Sequence, residues 1–229
     1  MNIDRIRAIS LDLDDTLWPI GPTLVRAEEA LRAWFKTHAP KALVFYEDQQ
    51  RVSLLRAQIV AQREHAMHEI SAIRKELIHE VLRLSGESTA GVEAAFRVFF
   101  QARQLVDFYD DTLQALVRMK SRFPLLALSN GNADLSQVGL GHLFDHAVSA
   151  ERFGVAKPDV RIFEHSATLL GLSCSEVLHI GDDLQTDVQG ATHAGMQCVW
   201  INRQGQAVRS DLNCLSFSSL LPLCEMLGV

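Results

Sequence analysis

Five short apolar runs, separated by segments of helical period, constrain the fold of this chain more than any other feature. Such runs are typical of strands buried on both faces of a parallel sheet. They cover residues 6–11, 125–128, 147–148, 177–180 and 198–201. Helical patterns lie near residues 111–121, 159–170 and 186–194. This alternation predicts an α/β fold in which helices cover both faces of a parallel sheet.

The stretch between the first two runs has a different pattern. Pro19-Ile20-Gly21-Pro22 breaks the first strand, and apolar residues then recur at helical spacing in four successive segments. Amphipathic helices must bury their apolar stripes against one another. We therefore predict a small helical bundle at residues 21–105, inserted into a main domain formed by residues 1–20 and 106–229.

Charge and composition exclude some classes of function. The net charge is −6, and no run rich in lysine or arginine stands out, which disfavours nucleic-acid binding. The chain passes from Met1 directly into the first strand, without a long apolar segment. We expect no association with a membrane and a cytoplasmic location.

Polar residues follow the predicted strands where a parallel sheet binds its ligands. Asp12 and Asp14 come after the first run, Ser129 follows the second, and Asp182 comes after the fourth. The carboxyl ends of parallel strands share one edge, so these side chains should meet there. Two carboxylates about 4 Å apart repel by roughly 4 kcal/mol at an effective dielectric near 20. A divalent cation such as Mg²⁺, which prefers carboxylates, waters and phosphate oxygens, would relieve this repulsion.

Four segments in this order resemble the haloacid dehalogenase superfamily of aspartate-nucleophile hydrolases. They are Asp12-Leu13-Asp14-Asp15-Thr16, Ser129-Asn130, Lys157-Pro158 and Gly181-Asp182-Asp183. The resemblance implies a Rossmann-like core with an inserted α-helical cap. The second and third segments are too close together for another cap.

The chemistry of these residues suggests roles for the first two aspartates. Attack by Asp12 on phosphorus would form an acyl phosphate and divide hydrolysis into two displacements. Residues i and i+2 of an extended segment share one side, so Asp14 can protonate the leaving oxygen and then deprotonate water. The family's dehalogenases lack this second aspartate, because a halide leaves without protonation.

The resemblance also implies the remaining site residues. The protein ligands of Mg²⁺ would be Asp12, the backbone carbonyl of Asp14 and Asp182, with Asp187 as a further ligand or as a residue that orients them. Lys157 would stabilise the transferring phosphoryl group. The other phosphate-binding candidates come from the first two segments and the residue that follows the second: Thr16, Ser129, Asn130 and Gly131.

Three further residues are candidates for substrate specificity. His68 and Arg74 lie in the third predicted helix of the cap, in a segment similar to phosphatases that act on riboflavin-pathway or nucleotide monophosphates. An arginine there could also lie on a solvated face. Trp18 follows the aspartate segment at residues 12–16 and could stack on the substrate or pack at the hinge between the two domains, at residues 19–22.

These observations predict a Mg²⁺-dependent phosphomonoesterase of small phosphorylated metabolites, with a riboflavin-pathway ribityl phosphate as the expected substrate. Alternatives are a pyrimidine 5′-nucleotidase or sugar phosphatase, a 2-haloacid dehalogenase, and a phospho-ligand binding protein without activity. The acid/base aspartate Asp14 argues against a binder. We expect a small-molecule partner only, and a monomer or homodimer.

Overall fold

The computed structural model describes residues 1–63, 68–207 and 214–229. The chain divides into two compact units. One combines Met1–Pro19 with Asp107–Val229, and the other consists of Ile20–Val106. Within the described residues, no helix has the length and apolar content needed to cross a lipid bilayer.

The first unit is built on a parallel sheet, which confirms the predicted fold class. Among the described residues the sheet has six strands, in the order β3-β2-β1-β4-β5-β6, and every neighbouring pair is parallel. The strands are β1 (Ala8–Leu11), β2 (Leu125–Ser129), β3 (His146–Ser149), β4 (Val177–Gly181), β5 (Gln197–Ile201) and β6 (Leu215–Phe217). The last was not predicted, because it is three residues long and lies at the edge of the sheet, where it needs no apolar run.

The three central strands bring the polar segments to one edge of the sheet. Every residue of β1, β2 and β4 is buried. Leu11 pairs with Ala127 on one side and with Ile180 on the other, so these strands end at nearly the same level. The backbone N–H of Asp12 continues this pairing and donates to the carbonyl of Ile180 at 2.9 Å.

The second unit is helical. Its helices are α1 (Ile20–His38), α2 (Pro40–Glu47), α3 (Gln49–Gln62), α4 (Ile70–Leu84) and α5 (Val92–Arg103). They share an apolar core that includes Leu31, Phe35 and Leu77. We predicted four helices here and missed α2. This helix has only about two turns, and it begins at Pro40, which suits a first helical position because its missing N–H would be unsatisfied anyway.

In the described part of the first unit, six further helices accompany the sheet. They are α6 (Thr112–Lys120), α7 (Leu135–Val138), α8 (Ala150–Phe153), α9 (Val160–Leu169), α10 (Gly190–His193) and α11 (Leu220–Leu227). Residues of α9 and α10 pack with Leu126 and Leu128 of β2 in one apolar cluster. The helix predicted at residues 186–194 begins instead as a π-helical segment, Leu184–Gln189, which leads into α10.

Candidate active site

The loop after β1 is a tight turn that contains both predicted catalytic aspartates. Asp12 follows β1 directly and is 7% exposed. Asp15 has φ +58°, a left-handed conformation that aspartate tolerates better than most residues. The turn is closed by two backbone hydrogen bonds, in which Leu17 N donates to Leu13 O at 2.8 Å and Asp15 N donates to Trp18 O at 2.7 Å. Local hydrogen bonding therefore fixes the backbone that carries Asp12 and Asp14.

Lys157 is buried between two aspartates. Its side chain is 2% exposed, and its Nζ donates to Asp12 Oδ1 at 2.5 Å and to Asp187 Oδ1 at 2.6 Å. Burial alone would lower the pKa of Lys157, but the charges of Asp12 and Asp187 outweigh it and raise this pKa above its usual value. The two aspartates therefore favour the charged form of Lys157 at the carboxyl end of β1.

One lysine does not balance the carboxylates around it. Burial raises the pKa of Asp12 well above its usual value, and the charges of Asp187 and Asp182 add to this rise against the attraction of Lys157. Burial, followed by the charge of Asp187, raises the pKa of Asp182 to about 7. The protein alone thus leaves a shortage of positive charge beside Asp12 and Asp182.

These carboxylates have the spacing and chemistry to hold a divalent cation. Asp12, Asp182 and Asp187 each present an oxygen, and these oxygens all lie within 4.8 Å of one another. An all-oxygen donor set of this kind suits Mg²⁺. The residues present therefore fit the predicted metal.

Asp187 is the most constrained of the three aspartates. Its Oδ1 accepts from Lys157 Nζ and contacts His179 Nε2 at 3.1 Å, while its Oδ2 accepts from the backbone N–H of Asp183 at 3.1 Å. Burial opposes ionisation, but Lys157 and His179 lower the pKa of Asp187. A Cβ at position 181 would lie 2.3 Å from the Asp187 carboxyl carbon, so only glycine allows this approach. These contacts fit an orienting role better than direct metal ligation.

A buried pair behind Asp187 was not predicted. Ser10 Oγ lies 2.7 Å from His179 Nδ1, the two residues pair across β1 and β4, and both are fully buried. Burial lowers the pKa of His179, which favours the neutral ring. We assign Nε2–H as the donor to Asp187, which leaves Nδ1 to accept from Ser10. The signal in the sequence was one polar residue in the middle of each of two apolar strands.

The segment after β2 supports the loop that contains Lys157 and Pro158, which we call the lysine loop. Asn130 Nδ2 donates to the carbonyl of Lys157 at 3.0 Å, and Lys157 N donates to Asn130 Oδ1 at 2.8 Å. Gly131 N donates to Ser129 Oγ at 2.8 Å, and this hydroxyl keeps its own proton as a donor. The side chain of Asn130 therefore positions Lys157, and Ser129 lies beside the same edge of the sheet.

Thr16 and Trp18 each bind an aspartate of the site. Thr16 Oγ1 donates to Asp182 Oδ1 at 3.1 Å, which ties the first loop to the loop after β4. Trp18 is fully buried, and its indole Nε1 donates to Asp14 Oδ1 at 2.8 Å. The ring also packs edge-on against Phe108, with centroids 5.9 Å apart.

The backbone carbonyls of Thr16 and Leu17, in the loop after β1, accept hydrogen bonds from residues that were not predicted from the sequence. Arg203 Nε donates to the Thr16 carbonyl at 2.9 Å, and its guanidinium pairs with Asp111 at 3.0 Å. Thr112 Oγ1 donates to the Leu17 carbonyl at 2.8 Å. These anchors hold the second half of the loop, which has no regular secondary structure of its own.

The two specificity candidates of the helical unit differ in their surroundings. The Arg74 side chain is 15% exposed. Its guanidinium pairs with Glu28 at 2.8 Å and donates to the Tyr46 hydroxyl at 3.1 Å. Its Cζ also lies over the Phe99 ring, 4.1 Å from the ring centroid. It therefore lies on no solvated face. His68 lies in the turn before α4, so our placement of it in the same helix as Arg74 was wrong.

Comparisons with known proteins show that this chain is similar to phosphatases and to a dehalogenase. A 5-amino-6-(5-phospho-D-ribitylamino)uracil phosphatase, YigB of Escherichia coli K12, is 33% identical over 98% of this chain and 93% of its own length. A glyceraldehyde 3-phosphate phosphatase of Methanopyrus kandleri is 29% identical over 86% of this chain and 84% of its own. The solved structure of a 2-haloacid dehalogenase from Pseudomonas syringae pv. Tomato DC3000 superimposes with a TM-score of 0.90 and 30% identity, covering 98% of this chain and 100% of that one.

A family model described as haloacid dehalogenase-like hydrolase matches residues 6–195. The match spans the loop after β1, the segment after β2, the lysine loop and the loop after β4. The resemblance inferred from the four segments is confirmed. This chain belongs to the haloacid dehalogenase-like hydrolases.

Proposed function

We propose that this hydrolase is a Mg²⁺-dependent phosphomonoesterase that acts through an aspartyl-phosphate intermediate on Asp12. The observation that carries the proposal is the arrangement of Asp12 and Asp14 in one anchored loop, with the buried cation Lys157 on Asp12. Phosphatases among the relatives support the same reaction class.

Asp12 is proposed as the nucleophile. A carboxylate oxygen of Asp12 forms a bond to phosphorus while the bond from phosphorus to the leaving oxygen breaks. Lys157 holds the carboxylate in place and stabilises negative charge on the transferring group. Water then attacks phosphorus, releases phosphate and returns the Asp12 carboxylate. The Ser129 hydroxyl, the lysine and the segment Asn130–Gly131 are the proposed phosphate contacts.

Asp14 is proposed as the general acid and base, and it distinguishes this reaction from dehalogenation. An alkoxide leaving group needs a proton, whereas a halide does not. A carboxyl group at position 14 therefore serves phosphate ester hydrolysis. The close structural likeness to a 2-haloacid dehalogenase keeps dehalogenation as the second candidate.

Mg²⁺ would be held by Asp12, Asp182 and the backbone carbonyl of Asp14, and would supply positive charge to the phosphoryl oxygens. Within the protein, Thr16 orients Asp182, and Asp187 orients Lys157. Burial, followed by the charge of Asp187, raises the pKa of Asp182 to about 7, and a bound cation would oppose this rise.

We further propose a riboflavin-pathway ribityl phosphate as the substrate, which the YigB relative supports. The helical unit would act as a cap that selects the substrate, with His68 and Arg74 as candidate contacts. A nucleotidase or sugar phosphatase activity remains the alternative. The cytoplasmic location and the monomeric or dimeric state stay predictions.

The substrate class can be tested with a panel of phosphorylated metabolites. We expect the highest kcat/KM for the ribitylaminouracil phosphate, followed by ribose-linked phosphates. A pyrimidine nucleotide or a simple sugar phosphate at the top of the panel would support the corresponding alternative. Release of halide from 2-haloacids without any phosphatase activity would contradict the proposed reaction.

Replacing the nucleophile should abolish turnover. We expect Asp12→Asn to lower kcat by several orders of magnitude, because the shape is kept and the nucleophile is lost. Asp15→Asn makes the same chemical change in the same turn, and it should stay within about tenfold of the wild type because asparagine also tolerates the left-handed conformation. Comparable activity in both variants would remove Asp12 from the nucleophile role.

Replacing the acid should affect substrates according to their leaving groups. Single-turnover kinetics should show that Asp14→Asn slows phosphoryl transfer from an alkyl phosphate much more than from an aryl phosphate, because an activated leaving group needs little protonation. Dephosphorylation should slow for both substrates. Equal losses in the transfer step would show that Asp14 is not the acid.

Metal binding can be measured without turnover. Calorimetric titration with Mg²⁺ should show one site, and Asp182→Asn should weaken its affinity at least about tenfold, because an anionic ligand is lost. Asp4→Asn, at an exposed carboxylate, should bind Mg²⁺ like the wild type. Excess chelator should abolish phosphatase activity, and Mg²⁺ should restore it. Full activity in chelator would instead favour the dehalogenase branch.

A further inference from the structure

We propose that Trp18 is a positioning residue for Asp14, and that its indole N–H fixes the carboxyl group in the orientation needed for proton transfer. The inference rests on the proposed function, because it takes Asp14 as the acid and base. It assigns to Trp18 a role other than the two that the sequence suggested, stacking on the substrate and packing at the hinge.

The hydrogen bond itself favours one oxygen of Asp14 as the site of the transferable proton. Trp18 Nε1 lies 2.8 Å from Asp14 Oδ1, and the two residues are also joined by a backbone bridge within the turn. An indole N–H can donate but cannot accept. Accepting this bond favours the carbonyl form of Oδ1 when Asp14 is protonated, so we assign the transferable proton to Oδ2.

The donor is held in place by contacts on several sides. The Trp18 ring is fully buried and packs edge-on against Phe108 at an interplanar angle of 64°. The Trp18 carbonyl accepts from Asp15 N. The two preceding carbonyls are anchored by Arg203 and Thr112. Because the ring cannot turn freely, its N–H restrains the Asp14 side chain.

Trp18 holds Asp14 in place but exchanges no proton itself, so its role can be tested separately from that of Asp14. As the bond from phosphorus to the leaving oxygen breaks, Asp14 Oδ2 gives its proton to that oxygen. The Asp14 carboxylate then takes a proton from the water that attacks the phosphate on Asp12. The indole proton stays on Trp18 throughout. Trp18 therefore affects only those steps in which Asp14 transfers a proton.

The first test is Trp18→Phe, which removes the donor and keeps an aromatic ring. Single-turnover phosphoryl transfer would be measured with p-nitrophenyl phosphate and with ribose 5-phosphate. We expect the loss with ribose 5-phosphate to exceed the loss with the aryl phosphate by about tenfold, the size of one hydrogen bond to a charged group. Trp34→Phe, in α1, should leave the ratio of the two rates unchanged.

A second variant separates hydrogen bonding from packing. Benzothienylalanine at position 18 keeps the bicyclic ring and has sulfur in place of N–H, so it should reproduce the shift in the rate ratio even if Trp18→Phe folds poorly. In the background of Asp14→Asn, the same replacement should add no further loss, because the two groups act as one unit.

Three results would overturn the inference. Equal losses on the two substrates would make Trp18 a structural residue only, and a wild-type rate ratio in the benzothienyl variant would show that the N–H is not used. Additive losses in the double variant would show that Trp18 acts independently of Asp14. Failure of the wild type to hydrolyse either phosphate would instead overturn the proposed function, and this inference with it.

Discussion

A buried lysine held between two buried aspartates is the interaction on which this structure depends. Lys157 joins Asp12, after β1, to Asp187, in the π-helical segment after β4. Taking such charges out of water costs several kcal/mol for each ion, and removal of one partner from a buried pair typically destabilises a protein by about 3–5 kcal/mol. The two loops and the lysine loop must therefore form together.

Hydrogen bonds connect this cluster to residues in the interior of the sheet. His179 and Ser10 continue the hydrogen-bonded chain from Asp187 into the centre of β4 and β1. Asn130 fixes the backbone of Lys157 from the end of β2. Strands β1 and β4, together with the residue that follows β2, thus each contribute a polar side chain to the placement of one cation. The geometry of the site therefore depends on the register of the strands as well as on the loops.

The same charges explain why the site suits both a metal and a phosphate ester. Lys157 gives Asp12 one cationic partner, but burial and the charges of Asp187 and Asp182 still oppose ionisation of Asp12 and raise its pKa. A divalent cation beside Asp12 and Asp182 would leave an environment that is attractive to a dianionic phosphate. The orientation of Asp14 by Trp18 then concerns proton transfer, which is a separate requirement from charge.

The sequence predicted those parts of the structure that depend on local pattern. Short apolar runs identified the five longer strands, polar residues after them identified Asp12 and Asp182 as neighbours, and the family resemblance added Lys157. The parallel fold and the family are confirmed. The elements α2 and β6 were missed because both are too short to show a period.

Contacts made only in the folded chain could not be predicted. The anchoring of the loop after β1 by Arg203 depends on residues separated by nearly the whole sequence. The pairing of Ser10 with His179 requires the strand register. The sequence made Trp18 a candidate site residue. Its hydrogen bond to Asp14, however, depends on the left-handed conformation of Asp15, which the sequence alone does not reveal.

The most direct test of the central claim is chemical trapping of the covalent intermediate. The enzyme would be quenched with acid during turnover of a phosphate ester, treated with borohydride to reduce any acyl phosphate to an alcohol, and digested for peptide mass spectrometry. Our account predicts that the reduced side chain is found at Asp12 and depends on substrate. Phosphate release at full rate with an unmodified Asp12, or reduction at another carboxylate, would contradict it.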